Sequence, residues 1–513
     1  MRKVFTIGLG IVVCLMAIQV NATTQEDIGV SIMKGIAWLV EQQNPDGSWG
    51  HGEKVGSTAF AVVKLEDRAF ELGMSPFDEE YEYFQEVISG QNYLFSQAAT
   101  YGEGTGICFG LGHHVSYNTG IVMMAIAAGR NPDLIVDVPG SLVDDWTHKE
   151  VVQANVDFFT WFQNHDGGWQ YEPFDPEGFS DNSITGYVVL GLAYAQAPIY
   201  GFNCTISDFV KDNLNSWIDK IQIDGGNHDG GSGYGGEHTS NVLRAGNLIF
   251  EMAFVGDTPD SQRMQRALDY LGRAWNDPDW SWEDGHGYPG WYGNPDWQGE
   301  PDIWPKPEWW QAWPDRYQGW QGPHYQAMYC IMKGLTYAGI DTINADGIEV
   351  DWYDAFAPLI LYGQNNDGSW DRDYWAGGHT LATEWALLTL EAIAPPGPVI
   401  NVLIDIKPGS YPNSINPKSK GVISAAILTT DEFDASAVDG TTVRFGPDEA
   451  AHVHYALEDV DWDGDLDMIL HFKIQDTGSE CGDTEATLIG KTIDGQQIKG
   501  TDTIRTVGCK EKK

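Results

Sequence analysis

Apolar positions between residues 25 and 395 recur at helical spacing in two alternating kinds of segment. One kind is amphipathic, as in Ile28–Gln43 and Val151–Gln163. The other is apolar almost throughout and rich in small residues: Ser57–Leu65, Tyr117–Ala128, Ser183–Ala195, Thr239–Phe254, Tyr325–Ala338 and Thr380–Ile393. A more polar helix can be drawn before each apolar run, the intermediate ones beginning near Glu79, Ser207 and Ser261. The result is six helix pairs of roughly 55 to 70 residues, longer than common solenoid repeats. An open solenoid needs polar caps at its ends, and the pattern offers none. Six pairs with the apolar member inside predict a closed double ring, an (α/α)6 toroid over residues 23–395.

The joints between helices carry a signature. Gln43-Asn-Pro-Asp-Gly-Ser-Trp49, Gln163-Asn-His-Asp-Gly-Gly-Trp169 and Gln364-Asn-Asn-Asp-Gly-Ser-Trp370 each follow an amphipathic helix. Asp-Gly supplies the positive φ of a tight turn, and the Gln and Trp side chains are placed to tie one helix to its neighbour. Where the signature fades, Gly-rich stretches recur, as in Asp224–Gly236.

Lys34-Gly35-Ile-Ala-Trp38-Leu-Val-Glu-Gln42-Gln43-Asn-Pro-Asp46-Gly47-Ser-Trp49 resembles the QW motif of squalene–hopene and oxidosqualene cyclases, a repeat also found in protein prenyltransferase β subunits. Phe158–Trp169 and Leu361–Trp370 repeat its core, and the resemblance spans residues 25–395. It implies the toroid; it does not by itself imply the chemistry. The cyclases' DxDD acid and the Asp-Cys-Thr-Ala-Glu of the oxidosqualene type are absent, Asp144-Asp145-Trp146 and Asp277-Pro-Asp279-Trp280 lack the spacing, and no DDxxD is present for magnesium diphosphate. His379-Thr380 resembles the prenyltransferase zinc histidine, but the matching Asp-x-Cys is missing. Triterpene cyclisation and protein prenylation are therefore disfavoured.

Two features remain as candidate sites in the ring. His113, His114, His238, His324 and His379 stand just before apolar helices, so the toroid would gather them at one mouth of the central cavity, with Glu237 and Glu384 nearby. Imidazoles and carboxylates converging there could hold a metal or move protons, and the bland alternative is that the histidines cap helices. Glu237 and Glu384 are the candidate catalytic residues, and His114, His238, His324 and His379 the candidate ligand-binding ones. The second feature is a Trp-rich insertion over residues 275–320, expected as a lid, in which Trp291, Trp310, Trp313 and Trp320 are candidates to stack a sugar ring; a self-packed lid is the alternative.

Ala394-Pro-Pro-Gly-Pro-Val399 breaks the helical pattern, and a Pro-rich linker is expected over residues 396–401. Beyond it, short strand-like runs predict a small all-β sandwich over residues 402–513. Ile404-Asp-Ile-Lys-Pro-Gly-Ser, Gly421-Val-Ile-Ser-Ala-Ala-Ile-Leu and Gly482-Asp-Thr-Glu-Ala-Thr-Leu are similar to a module of secreted microbial proteins, which implies an extracellular accessory domain. Within it, Asp459-Val-Asp461-Trp-Asp463-Gly464-Asp465-Leu-Asp467 spaces carboxylates around a turn glycine as a calcium loop does. Side chains of Asp459, Asp461, Asp463 and Asp467 and the backbone oxygen of Asp465 are the expected ligands. Leu470 stands where an EF-hand would place its Glu.

Charge and the N-terminus narrow the partners. Met1-Arg2-Lys3, the apolar run Val4–Val20 and Val20-Asn21-Ala22 read as a signal peptide over residues 1–22, so a secreted or cell-surface protein is expected with no stable membrane insertion. The formal net charge of −45 repels phosphate backbones and excludes nucleic acid as a partner. Cys108, Cys204 and Cys330 look like buried small residues, while Cys481 and Cys509 could pair in an oxidising compartment. The sequence thus points to a toroid that binds a glycan or a hydrophobic small molecule in its central cavity without classical cyclase activity. The alternative is an extracellular enzyme, polysaccharide-active or a divergent terpenoid cyclase. Ca²⁺ is the expected cofactor, with a cavity metal of unknown identity as a second candidate.

Overall fold

The structure is a computed structural model. It describes residues 24–102, 104–173, 179–235, 240–276, 324–345, 347–371, 378–395, 397, 400–430, 433–493 and 497–509. The signal-like segment and all of the Trp-rich insertion beyond Asn276 lie outside the described residues. Twelve α-helices alternate along the first part of the described chain. The outer ones are α1 (Gln25–Glu41), α3 (Phe84–Ser96), α5 (His148–Phe162), α7 (Asp208–Ile221), α9 (Gln262–Asn276) and α11 (Trp352–Tyr362). The inner ones are α2 (Lys54–Glu71), α4 (Val115–Ala128), α6 (Asn182–Gln196), α8 (Val242–Val255), α10 (Tyr325–Ala338) and α12 (His379–Leu390).

Sequence decides which helix goes where. In α7 only Val210, Leu214, Trp217, Ile218 and Ile221 are buried, a single stripe, so its polar face takes the outside. In α4 nearly every side chain is buried, so the helix must be surrounded. The inner helices pack in the order α2, α4, α6, α8, α10, α12, and α12 returns to α2, which closes the ring. Glycines set the spacing: a Cβ on Gly246 of α8 would stand 2.6 Å from the Cys330 carbonyl of α10. Capping boxes at Thr24/Asp27 and Thr147/Glu150 start α1 and α5.

The repeated turn is tied the same way three times. Gln43, Gln163 and Gln364 each donate from Nε2 to the carbonyl four residues on and to a carbonyl of the next outer helix or its N-terminal turn: Glu86, Val210 and Ser31. The last of these joins the sixth pair to the first. Trp49, Trp169 and Trp370 are fully buried, and each donates from Nε1 to the carbonyl ten residues earlier, at 2.7, 2.9 and 2.6 Å. Their backbone N–H groups donate to Thr58, Thr185 and Thr383 of the inner helices. Gln222 makes a fourth such tie, to Gly230 and Arg263.

The buried apolar side chains form two separate clusters, one from Ile28 to Leu390 and one from Val402 to Ile504. Two short hairpins decorate the ring: β1 (Ala98–Ala99) with β2 (Cys108–Phe109), and β3 (Thr342–Ala345) with β4 (Ile348–Asp351). The second cluster is built by β5 (Ile400–Asn401), β6 (Ile404–Ile406), β7 (Ser414–Ile415), β8 (Val422–Ile427), β9 (Val438–Phe445), β10 (Ala450–Glu458), β11 (Asp467–Lys473), β12 (Glu485–Thr492), β13 (Gln497–Thr503) and β14 (Arg505–Thr506). Here the expected sandwich is met only coarsely. Eight strands form one continuous sheet in the order β5-β13-β12-β9-β10-β11-β8-β6, curled so that β6 lies beside β13. The physical reason is the β9–β10 hairpin. Ala450↔Phe445 and Ala451↔Arg444 pair the start of β10 with β9, and the rest of the strand, from His452 to Glu458, pairs with β11 across one register shift between His452 and His454. Cys481 and Cys509 are disulfide-bonded, and Cys108, Cys204 and Cys330 are free and buried.

Candidate functional site

The inner helices run parallel, because their first turns meet one another. His114, the N-cap of α4, sits 2.9 Å from Glu53, the N-cap of α2. Tyr117 donates to Ser183 at 2.8 Å, and Asn247 to the Asn182 carbonyl at 3.2 Å. The inner N-termini, with their positive partial charge, therefore open on one end of the ring. A cleft of about 570 Å³ lies there, lined among others by Glu53, Tyr93, Gln97, His113, His114 and Asn118. Beside it His113 stacks on Tyr171 with centroids 4.4 Å apart and planes 3° from parallel. Its Nδ1 lies 3.6 Å from Glu172, which also accepts from the Tyr101 hydroxyl at 3.0 Å.

Deeper in, the axis is filled. Phe60 of α2 meets Tyr187 of α6, Tyr329 of α10 and Trp385 of α12 at centroid distances of 6.3, 5.7 and 6.5 Å. Three of these helices alternate around the ring, so rings that touch must meet across its centre. Lys333 of α10 completes the plug. Its fully buried ammonium donates to the Gly186 carbonyl at 3.1 Å and lies 4.5, 5.2 and 6.0 Å from the Tyr187, Phe250 and Tyr329 rings. Burial lowers its pKa despite the opposing pull of Cys330 and Glu251. Aromatic rings and the Lys333 side chain thus meet across the ring at this level, while the cleft of about 570 Å³ lies at the inner N-termini.

The candidate residues are not all brought together. Glu237, His238, Trp291, Trp310, Trp313 and Trp320 lie outside the described residues. Trp275, the first of the Trp-rich stretch, belongs to α9 and stacks on Phe356 of α11. His324 is buried and caps α10, its Nδ1 accepting from the Ala327 N–H at 3.2 Å. His379 opens α12, half exposed, with Nδ1 3.5 Å from Asp371. Glu384 is fully buried beside Ser57 in the seam between α12 and α2, and burial pushes its pKa well above the carboxylate range. Glu251 of α8 is equally buried and shifted the same way by the same cause, and among the described residues neither of its oxygens has a hydrogen-bond partner. Sequence reading passed over Lys333 and Glu251, although Lys333 is the lone charge in its apolar run and Glu251 shares its run with Arg244 alone.

In the β region, Asp459, Asp461 and Asp463 each offer an oxygen within 4.8 Å of the others. Their loop is pinned by backbone N–H groups of Trp462, Asp463 and Asp465 donating to Asp459, Asp461 and Asp463, with Gly464 at φ +105°. Asp467 stands apart: it is fully buried and accepts from the N–H groups of Thr429 and Val460. Loss of hydration first, and then the Asp463 carboxylate, push the Asp465 carboxyl up to about 6. The described helices include none long and apolar enough to cross a membrane.

No family model matches the chain, and no curated protein matches it in sequence. Among solved structures, the type II terpene cyclase MstE from Scytonema aligns with 72% of this chain and 98% of its own at 12% identity, with a TM-score of 0.38. A variant of that enzyme in complex with geranylgeranyl dihydroxybenzoate aligns with 72% of this chain and 96% of its own at 12% identity and a TM-score of 0.39. Candida albicans protein geranylgeranyltransferase-I complexed with GGPP aligns with 70% of this chain and 90% of its own at 14% identity and a TM-score of 0.40. The toroid itself rests on the closed contacts of α2 through α12.

Proposed function

We propose that the protein is an extracellular binding protein whose toroid presents a mouth cleft to a hydroxylated ligand, a saccharide foremost, and performs no terpenoid cyclisation. The observation that carries this reading is the filled axis. A cyclising toroid needs an aromatic chamber free to stabilise a carbocation by cation–π attraction. Here the resident Lys333 ammonium occupies that position among Tyr187, Phe250 and Tyr329. The mouth cleft instead combines aromatic rings (Tyr93, His113, His114) with hydrogen-bonding groups (Glu53, Gln97, Asn118), the mixture that takes up sugars. Calorimetric titration with a panel of oligosaccharides should find a saturable ligand whose affinity falls at least tenfold in Tyr93→Ala/Gln97→Ala. An unchanged affinity in that variant would move the site elsewhere.

A second reading, an enzyme using Glu384 as acid, is favoured by one observation: a fully buried carboxyl, pushed by burial well above the ordinary carboxylate range, next to the aromatic plug. Its enclosure in a helix seam counts against it.

The Asp459–Asp467 loop binds calcium in this reading. Three convergent, mostly exposed carboxylates on a pinned turn are a hard-oxygen donor set that fits Ca²⁺, and Asp467 acts as the clamp beneath it rather than as a ligand. Titration of the full chain should show one Ca²⁺ that is lost in Asp461→Asn/Asp463→Asn; equal binding by that variant would refute the assignment. The Cys481–Cys509 disulfide supports a location outside the cytoplasm.

A further inference from the structure

The rim of the toroid carries two adjacent histidines prepared in a way that plain surface histidines are not. His113 and His114 lie with ring centroids 5.3 Å apart, both against Tyr171. Each turns its Nδ1 to a different carboxylate: His114 to Glu53 at 2.9 Å and His113 to Glu172 at 3.6 Å. At hydrogen-bond distance the Glu53 carboxylate favours the His114 tautomer that carries Nδ1–H and leaves Nε2 as a lone-pair donor, and Glu172 faces the same nitrogen of His113 at ion-pair range. Glu172 accepts from Tyr101 and is mostly buried, while the Glu53 backbone is the N-cap of α2 and its more exposed carboxylate faces His114. The Tyr171 stack fixes the plane of the His113 ring, so little rearrangement is left to the moment of binding.

We propose that His113 and His114 form a two-histidine site for a divalent transition metal of the zinc class. Glu172 and Glu53 are the positioning residues behind the imidazoles. Nitrogen ligands select such metals over the calcium taken by the all-oxygen loop. Two protein ligands leave the remaining coordination positions to water or to a molecule in the cleft that both histidines line. The site lies in the cleft assigned above to a saccharide, but its test reads metal alone and stands whether or not that assignment does.

The test is a Zn²⁺ titration of the chelator-stripped full chain, followed by Co²⁺ substitution to report nitrogen ligation in the visible spectrum. One transition-metal ion per chain is expected, retained in Asp461→Asn/Asp463→Asn and abolished in His113→Ala/His114→Ala. Glu172→Gln should weaken binding roughly tenfold while leaving the stoichiometry unchanged. Both histidine side chains are substantially exposed, 66% and 38%, so the double variant should keep the wild-type melting temperature. If it does not fold, Glu172→Gln/Glu53→Gln supplies the same comparison. No Zn²⁺ binding by the wild type, or binding that survives loss of both histidines, overturns the proposal.

Discussion

Trp169→Ala should destabilise the toroid by about 4–5 kcal/mol, among the largest losses available to a single substitution in this chain. The indole is fully buried, its Nε1 satisfies the Phe159 carbonyl at the end of α5, and its backbone N–H satisfies Thr185 of α6. Truncation therefore opens a cavity and strands a buried carbonyl as well. Trp169→Phe keeps most of the volume and loses the Nε1 donor, so about 1–2 kcal/mol is expected. Gly167→Ala is the sharper companion. Gly167 has φ +96°, and a Cβ there would stand 1.9 Å from the Asn213 carbonyl of α7, so the turn and the neighbouring helix must both give way. Urea unfolding of the three variants checks the ranking. A loss below about 1 kcal/mol for Trp169→Ala would mean that the repeated turns do not hold the rings together.

The second large effect falls on ring closure. Lys64 of α2 is fully buried and pairs with Glu391, just past the end of α12, at 2.5 Å, with Asp67 at 3.5 Å. Lys64→Met leaves Glu391 buried without its cation, a change that typically costs about 3–5 kcal/mol. The size should depend on pH, and the sign is fixed. Burial pushes the Glu391 carboxyl up to about 7 against an ordinary 4.5, with Lys64 pulling it down and Asp67 and Glu71 adding to the rise. Between those values the folded chain holds a proton that the unfolded chain has released, so stability falls as pH rises through the interval. Removing Lys64 raises that pKa further. The gap between wild type and Lys64→Met should accordingly be widest at pH 8 and narrowest near pH 5, where Glu391 is neutral in both. A pH-independent gap in melting temperature would assign Lys64 to packing alone. Lys64→Met/Glu391→Leu should recover most of the loss, since the orphaned charge is gone.

The legibility of this chain in sequence divides by physical cause. The turns were readable because a positive φ demands glycine, and because Gln, Asp, Gly and Trp recur at fixed spacing around Gly47, Gly167 and Gly368. Gln222 escaped because its loop reaches Gly230 after eight residues instead of four, although its side chain makes the same two bonds. Thr58, Thr185 and Thr383 were invisible as turn anchors, since a threonine in an apolar helix carries no mark of what its hydroxyl accepts. The histidine pattern located one end of the ring but could not separate roles. His324 proved to be a buried cap, while His113 and His114 acquired carboxylate partners from segments 60 or so residues distant in either direction. The calcium-type spacing could not reveal that Asp467 faces backbone N–H groups. Nor could alternation along the strands show that β10 joins two halves into one curled sheet, because that depends on β10 taking β9 as partner at one end and β11 along the rest.

The proposal that most needs testing is that the toroid, in which the described inner residues bring aromatic rings and Lys333 together across the ring, performs no terpenoid cyclisation. It is tested most directly by incubating the full chain with squalene and a geranylgeranyl-bearing substrate, measuring binding by calorimetry and extracting products for mass analysis. The account predicts neither stoichiometric binding nor any product of altered ring count. Saturable binding together with a cyclised product, lost in Glu384→Gln, would contradict it and make Glu384 the acid of a cyclase.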